Sequence, residues 1–156
     1  MRFILILSFC ALLFSSCEEQ AFYENTVIIP ESNWSYSFKP AFKVVAQDTS
    51  QNFDLFLNID HNTSFSFQNL YINITTEFPN SESKEERLSI DLAEQIGKWV
   101  GDCNAEKCKT KVYLLENFKF SDPGQYTFTM EQFSRQENLK DINSLQLQIY
   151  SKKGSS

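Results

Sequence analysis

Large apolar residues recur at every second position through most of this chain. Phe53, Leu55, Leu57 and Ile59 alternate with Asp54 and Asn58. Leu70, Ile72 and Ile74 stand opposite Asn69, Tyr71, Asn73 and Thr75. Tyr126, Phe128 and Met130 are separated by Thr127 and Thr129, and Leu145, Leu147 and Ile149 close the pattern. Side chains two apart on a strand share one face. Each run therefore has one apolar face that must be covered by a second layer. Fifteen Phe, six Tyr and two Trp against only four Gly and four Pro suit pleated, half-buried surfaces. The same composition excludes disorder over most of the chain.

Shorter runs extend the pattern. Phe22 to Ile29 stops at Pro30; Trp34, Tyr36 and Phe38 lead to Pro40; Phe42, Val44 and Ala46 follow. Leu88, Ile90 and Leu92, then Lys111 to Phe120, read as further strands. Turns are expected at 48–52, at His61 to Ser64 and at Asp122-Pro123-Gly124, with a charged loop from Pro79 to Glu86. About nine short strands with frequent turns indicate an all-β fold, an antiparallel β-sandwich of jelly-roll or Ig-like type. One short helical segment is predicted near residues 91–100, with Leu92, Ile96 and Trp99 on one face and Gly97 and Gly101 limiting it. A second helical turn is predicted around Leu139 to Ile142.

The N-terminus obeys a different rule. Arg2 precedes the uncharged run FILILSFCALLF, then Ser15-Ser16 and Cys17. A basic residue, a short apolar run and a small-residue site form a secretory signal, too short to span a bilayer as a helix of about 20 residues. Ser15-Ser16-Cys17 resembles the lipobox of bacterial lipoproteins, with Phe14 where Leu is usual. The expected organisation is a cleaved signal over 1–16, a lipidated tether over 17–21 starting at Cys17, one sandwich domain over 22–151, and a polar tail over 152–156. Cleavage of 16 from 156 residues leaves 140, enough for one domain with a real core. Several acyl chains on one cysteine anchor firmly, and the outer membrane is the expected destination. Glu18-Glu19 resembles the acidic export tag of some surface lipoproteins; a solvated tether would look the same, so periplasmic or surface facing stays open.

Of the other cysteines, Cys10 leaves with the signal, while Cys103 and Cys108 form a C-x4-C pair in an exported domain. An oxidising compartment makes a disulfide the expected state. A metal pair is the alternative, but zinc normally takes four ligands and His61 is the only histidine. No metal or other cofactor is expected. The formal charge of −6 disfavours nucleic acid or an anionic membrane surface as main partner.

Catalysis finds little footing. His61, in Asp60-His61-Asn62-Thr63, reads as a polar turn residue without a partner set. No Gly-x-Ser-x-Gly, His-Glu-x-x-His or phosphate-cradling glycine loop occurs. Asp54 and Asp60 could pair in space, though nothing sets them apart from other acids. Trp34, Tyr36, Phe38, Trp99 and Tyr126 could form a sugar-stacking platform, but inward alternation assigns most of them to the core.

Four stretches carry a family likeness: IDHNTSFSFQNLYINI from Ile59, especially Asn69-Leu70-Tyr71; DLAEQIGKWVG from Asp91; FKFSDPGQYTFTME from Phe118; and LKDINSLQLQI from Leu139. With the lipobox position, they make the whole chain resemble the GldH family, gliding-motility lipoproteins of Bacteroidota. The chain departs from that pattern at Asp60, where the family has Arg, at Phe133-Ser134, where it has Met-Arg, and at Asp141, where it has Gly. The resemblance implies a non-enzymatic accessory role in gliding motility and the linked type IX secretion machinery, with proteins of those assemblies as partners. It carries over no catalytic or ligand residues. The rival reading is a surface lipoprotein that captures glycans; a small-molecule ligand is not expected. Cys17→Ser should abolish lipidation and release or mislocalise the protein; membrane retention equal to wild type, or a mature N-terminus elsewhere, would refute the anchor.

Overall fold

The alternation in residues 52–62 becomes the central strand of a sheet. A computed structural model of the chain describes residues 20–152. The signal, Cys17 and most of the polar tail lie outside that range. The strands are β1 (Tyr23–Ile28), β2 (Asn33–Ser35), β3 (Ala41–Ala46), β4 (Asn52–Asn62), β5 (Asn69–Glu77), β6 (Ser83–Asp91), β7 (Asp102–Cys103), β8 (Lys107–Lys119), β9 (Gly124–Gln132), β10 (Asn138–Lys140) and β11 (Ile142–Ser151). A single 3-10 turn at Pro30–Ser32 interrupts them.

All the pairings are antiparallel. One sheet runs β1-β11-β4-β8-β7, the other β3-β9-β5-β6, and β2 and β10 form a small ribbon beside them. Register places like with like: Leu57 is opposite Leu147 on β11 and Val112 on β8. Phe42 is opposite Phe128, and Ile74 opposite Met130. The inner faces meet in one core that holds Leu55, Leu57, Ile59, Leu70, Ile72, Ile74, Leu114, Leu145 and Leu147. The sandwich expected from the alternation is therefore the architecture observed.

One end of the core is aromatic. Phe120 packs on Phe53 at 5.0 Å, on Phe118 at 5.0 Å and on Tyr126 at 4.8 Å, mostly edge to face. The buried Tyr126 hydroxyl donates to the Asp122 carbonyl at 2.9 Å and accepts from the Asp122 amide at 3.0 Å, which ties the Asp122-Pro123-Gly124 turn to the core.

Several local expectations are corrected. Residues 91–100 form no helix. Leu92 and Ala93 donate to the Gln68 carbonyl, and Ala93 bridges Trp99, with Val100 donating to the Leu92 carbonyl, so the chain doubles back. Gly97 and Gly101 adopt φ of +81° and +103°, a conformation that no α-helix contains. A Cβ on Gly101 would also strike the Lys109 carbonyl. The turn expected near Leu139 is strand β10, after which Asp141, at φ +71°, swings the chain into β11. The charged loop is only a tight turn at 78–82, and Ser83–Asp91 continues as edge strand β6. Alternating charge misleads there because edge strands are commonly guarded by charged side chains. His61 is not in a turn either: β4 runs through it and buries it.

Cys103 and Cys108 face one another across β7 and β8 and are disulfide-bonded, with Cα atoms 4.1 Å apart. The intervening turn is also closed by Asn104, whose side chain accepts from the Glu106 and Lys107 amides. Closing so short a loop contributes on the order of 2 kcal/mol. Cys108 is fully buried, so this loop has an apolar anchor that its spacing did not reveal.

Leu57 has no exposed surface and lies at the centre of the central strand. Leu57→Ala should lower unfolding stability by about 2–5 kcal/mol, the range for emptying a packed aliphatic site. Urea denaturation checks this, and a loss below about 1 kcal/mol would contradict the packing described.

Candidate functional site

Among the described residues, a largely apolar concavity lies where β5 begins and β9 ends. It is an open groove of about 660 Å³ lined by Phe67, Asn69, Leu70, Tyr71, Phe133, Ser134, Arg135, Gln136 and Leu139. That volume is within the roughly 300–1,000 Å³ of ordinary ligand sites. The floor is core: Leu70 and Leu139 are buried, and Phe67 packs against the core cluster. The rim is not. Tyr71 is 44% exposed and Phe133 51% exposed. The Phe133 amide donates to the Tyr71 carbonyl at 2.8 Å, so the two rings leave adjacent stretches of backbone.

The rim loop, residues 133–137, is built around one buried side chain. Gln132 occupies the last inward position of β9, and its Nε2 donates to the Gln136 and Glu137 carbonyls at 2.9 and 3.1 Å. Its Oε1 accepts from the Ser134 amide at 3.0 Å and the Ser134 hydroxyl at 2.7 Å. From outside, the Tyr36 hydroxyl donates to the Ser134 carbonyl at 2.6 Å. Phe133 is therefore held out by a fixed scaffold. The Arg87 guanidinium lies 4.6 Å from its ring centre, a cation–π contact.

Other candidates separate. Asp54 and Asp60 share the outer face of β4 six residues apart, roughly 20 Å at 3.3 Å per residue. That exceeds the spacing of paired catalytic carboxylates. Asp54 accepts from the Asn117 amide and Asp60 from the Asn143 side chain. His61 takes the inner place after Ile59, opposite Cys108, with the Trp99 ring 4.8 Å and the Phe65 ring 5.8 Å away. Its Nδ1 lies 3.0 Å from the Asn62 carbonyl oxygen, so its setting is that of a packing residue. Among the described residues no cluster of three His, Cys, Asp or Glu side chains could hold a metal.

The five aromatics of the supposed sugar platform are not gathered. Trp34 and Tyr126 are fully buried, and Trp34 donates to the Phe38 carbonyl at 2.9 Å. Phe38 and Trp99 are half-buried against the core, which leaves Tyr36 as the exposed member. On the outer face of β4, Phe56, Tyr113 and Tyr150 do meet, but at interplanar angles of 43° and 78° they make no flat surface.

The sequence matches the GldH lipoprotein family over residues 21–149. The chain belongs to that family. It is 27% identical over 143 residues to the gliding motility lipoprotein GldH homolog of Christiangramia forsetii, covering 92% of this chain and 86% of the relative. To the gliding motility lipoprotein GldH of Flavobacterium johnsoniae it is 25% identical over 131 residues, covering 84% and 80%. Among solved structures it is similar to TmCBM61 in complex with β-1,4-galactotriose, with TM-score 0.37, 7% identity and coverage of 86% and 90%. It is also similar to the Yersinia pseudotuberculosis-derived mitogen, with TM-score 0.34, 7% identity and the same coverages. Neither structural likeness bears on ligands. The family is one of gliding-motility lipoproteins, not a known enzyme family, and its members associate with a membrane through a lipid.

The sequence reading missed the groove, although its phase contained it. Tyr71 stands on the polar face of β5, and Phe133 falls outward once Tyr126, Phe128, Met130 and Gln132 point inward. The Asn69-Leu70-Tyr71 segment that carries the family likeness lies in its wall. Gln132→Ala should remove the loop's internal partners and cost about 1–3 kcal/mol, the range for unmaking buried hydrogen bonds. Hydrogen exchange should quicken at the amides of residues 133–137; unchanged protection there would show that Gln132 does not hold the rim.

Proposed function

We propose that this lipoprotein is an accessory of the gliding apparatus and its linked type IX secretion machinery, acting as a non-catalytic protein-interaction domain. The family match through the whole body of the chain carries this reading. The two gliding-motility relatives, aligned over 92% and 84% of the chain, support it. Its role is positional. Thioether-linked lipid on Cys17 would hold the sandwich at the outer membrane, and a surface patch would dock a neighbouring protein. A rigid double sheet suits this, because a preformed surface loses little conformational entropy on binding. The glycan-capture reading is weakened because, of its candidate platform, Trp34 and Tyr126 are fully buried.

Deleting the gene in the producing bacterium should abolish colony spreading on agar, and the wild-type gene should restore it. Secretion of type IX cargo should fall in the same strain. Normal spreading of the deletion strain would overturn the motility role. Fractionation that finds the mature protein in the inner membrane would overturn the proposed location.

A further inference from the structure

The groove's lining includes one cation and no acid. The sequence has three arginines, Arg2, Arg87 and Arg135, in a chain of formal charge −6. Arg2 lies in the signal, and both of the others stand at this groove: Arg135 lines it and Arg87 covers the Phe133 ring. Arg87 is only loosely committed, its Nε 3.8 Å from a Glu85 carboxylate oxygen on an exposed strand. Arg135 meets no acid within 4 Å among the described residues. Guanidinium groups match carboxylates as planar, two-pronged donors.

Two of the polar side chains that could grip sugar hydroxyls are already engaged. Ser134 is bonded to Gln132 and Gln136, and the Asn69 Nδ2 donates to the Tyr71 hydroxyl at 2.8 Å. What the groove then offers is an apolar floor, two exposed rings on a fixed rim, the Gln136 side-chain amide, the Arg135 guanidinium and, over the Phe133 ring, Arg87. Exposed aromatic and arginine side chains held rigidly at a concavity are the composition of protein-binding hot spots.

We propose that this groove receives an extended, acidic protein segment, with an apolar side chain seated beside Tyr71 and Phe133 and a flanking carboxylate on Arg135 and Arg87. This rests on the reading of the chain as a protein-interaction domain and names the chemistry of the partner. The complementarity is one of sign: the groove's lining holds a guanidinium and no carboxylate, so its walls attract an acidic segment and none of them repels it.

The test is selection from a displayed library of random dodecapeptides on the mature lipoprotein in detergent, with Phe133→Ala and Arg135→Glu proteins in parallel. Wild type should enrich peptides in which an aromatic or aliphatic residue is flanked by Asp or Glu. Synthetic versions should bind more weakly as salt rises. Phe133→Ala should weaken them at least about tenfold, a hot-spot loss. Arg135→Glu should do the same and should favour versions with Lys in place of the acids. No enrichment, enrichment of neutral or basic peptides, or binding that both variants leave unchanged would overturn the proposal. So would displacement by oligogalacturonate at lower concentration than by peptide, which would make the ligand a glycan. A wild-type dimer dissolved by Phe133→Ala would overturn it as well. In the deletion strain, a gene carrying Arg135→Glu and Phe133→Ala should fail to restore spreading. If it restores spreading while the deletion does not spread, the groove assignment falls and the motility role stands. A deletion strain that spreads normally removes the motility role, and the peptide measurements still judge the groove.

Discussion

Everything in this molecule hangs on the register of β4. Its inner positions, Phe53, Leu55, Leu57, Ile59 and His61, are all buried, while β11 and β8 pair with it on either side. A slip of one residue would turn all five to solvent and bring Asp54, Asn58 and Asp60 into the core. Two features prevent slippage. The outer sheet face carries its own cross-strand partners: the Asn58 side chain donates to Gln146 and Gln148, which in turn donate to Glu24 on β1. Irregular pairing around Leu55 fixes where β8 can meet β4. With β4 set, the second sheet closes over it and the loops at the sheet ends acquire their positions.

How much of this was readable depended on the length scale of the cause. Runs such as Leu70-Ile72-Ile74 and Leu145-Leu147-Ile149 declare their inner face through neighbours two residues apart, and they are buried as the pattern requires. The errors fall where long-range pairing decides. Leu92, Ile96 and Trp99 have helical spacing, yet Leu92 and Ala93 donate to the distant Gln68 carbonyl, two glycines take positive φ and Ile96 stays exposed. Ser83 to Glu86 looked like a loop because it is charged, but β5 supplies it with ladder partners, continuous with the expected strand at Leu88 and Ile90. His61 looked like a turn residue because histidine is polar, whereas the alternation of β4 simply continues through it.

The groove belongs to the same class of long-range consequence. Its wall comes from β5 and its rim from the end of β9, more than sixty positions later in the chain. Tyr71 and Phe133 could each be read as outward-facing, but only the pairing of β5 with β9 makes them neighbours. The rim owes its shape to Gln132, a polar residue at an apolar phase whose four hydrogen bonds take the place of packing. Asp141 shows a related compromise. It adopts φ +71°, a conformation that favours glycine, and its carboxylate accepts from the Asn62 side chain at 2.8 Å.

The placement of β1 bears on mechanical load. It is an edge strand, held to β11 by pairs from Tyr23↔Ile149 to Ile28↔Ser144, with the Phe22 and Ile29 amides extending the ladder at either end. With the lipid on Cys17, as proposed, a tether ahead of β1 would deliver any tension to that seam before the rest of the sandwich feels it. A pull along the strand stretches those bonds together, whereas a pull away from the sheet opens them one after another. The direction of the membrane relative to β1 therefore decides how much drag the domain can bear before its first strand peels free.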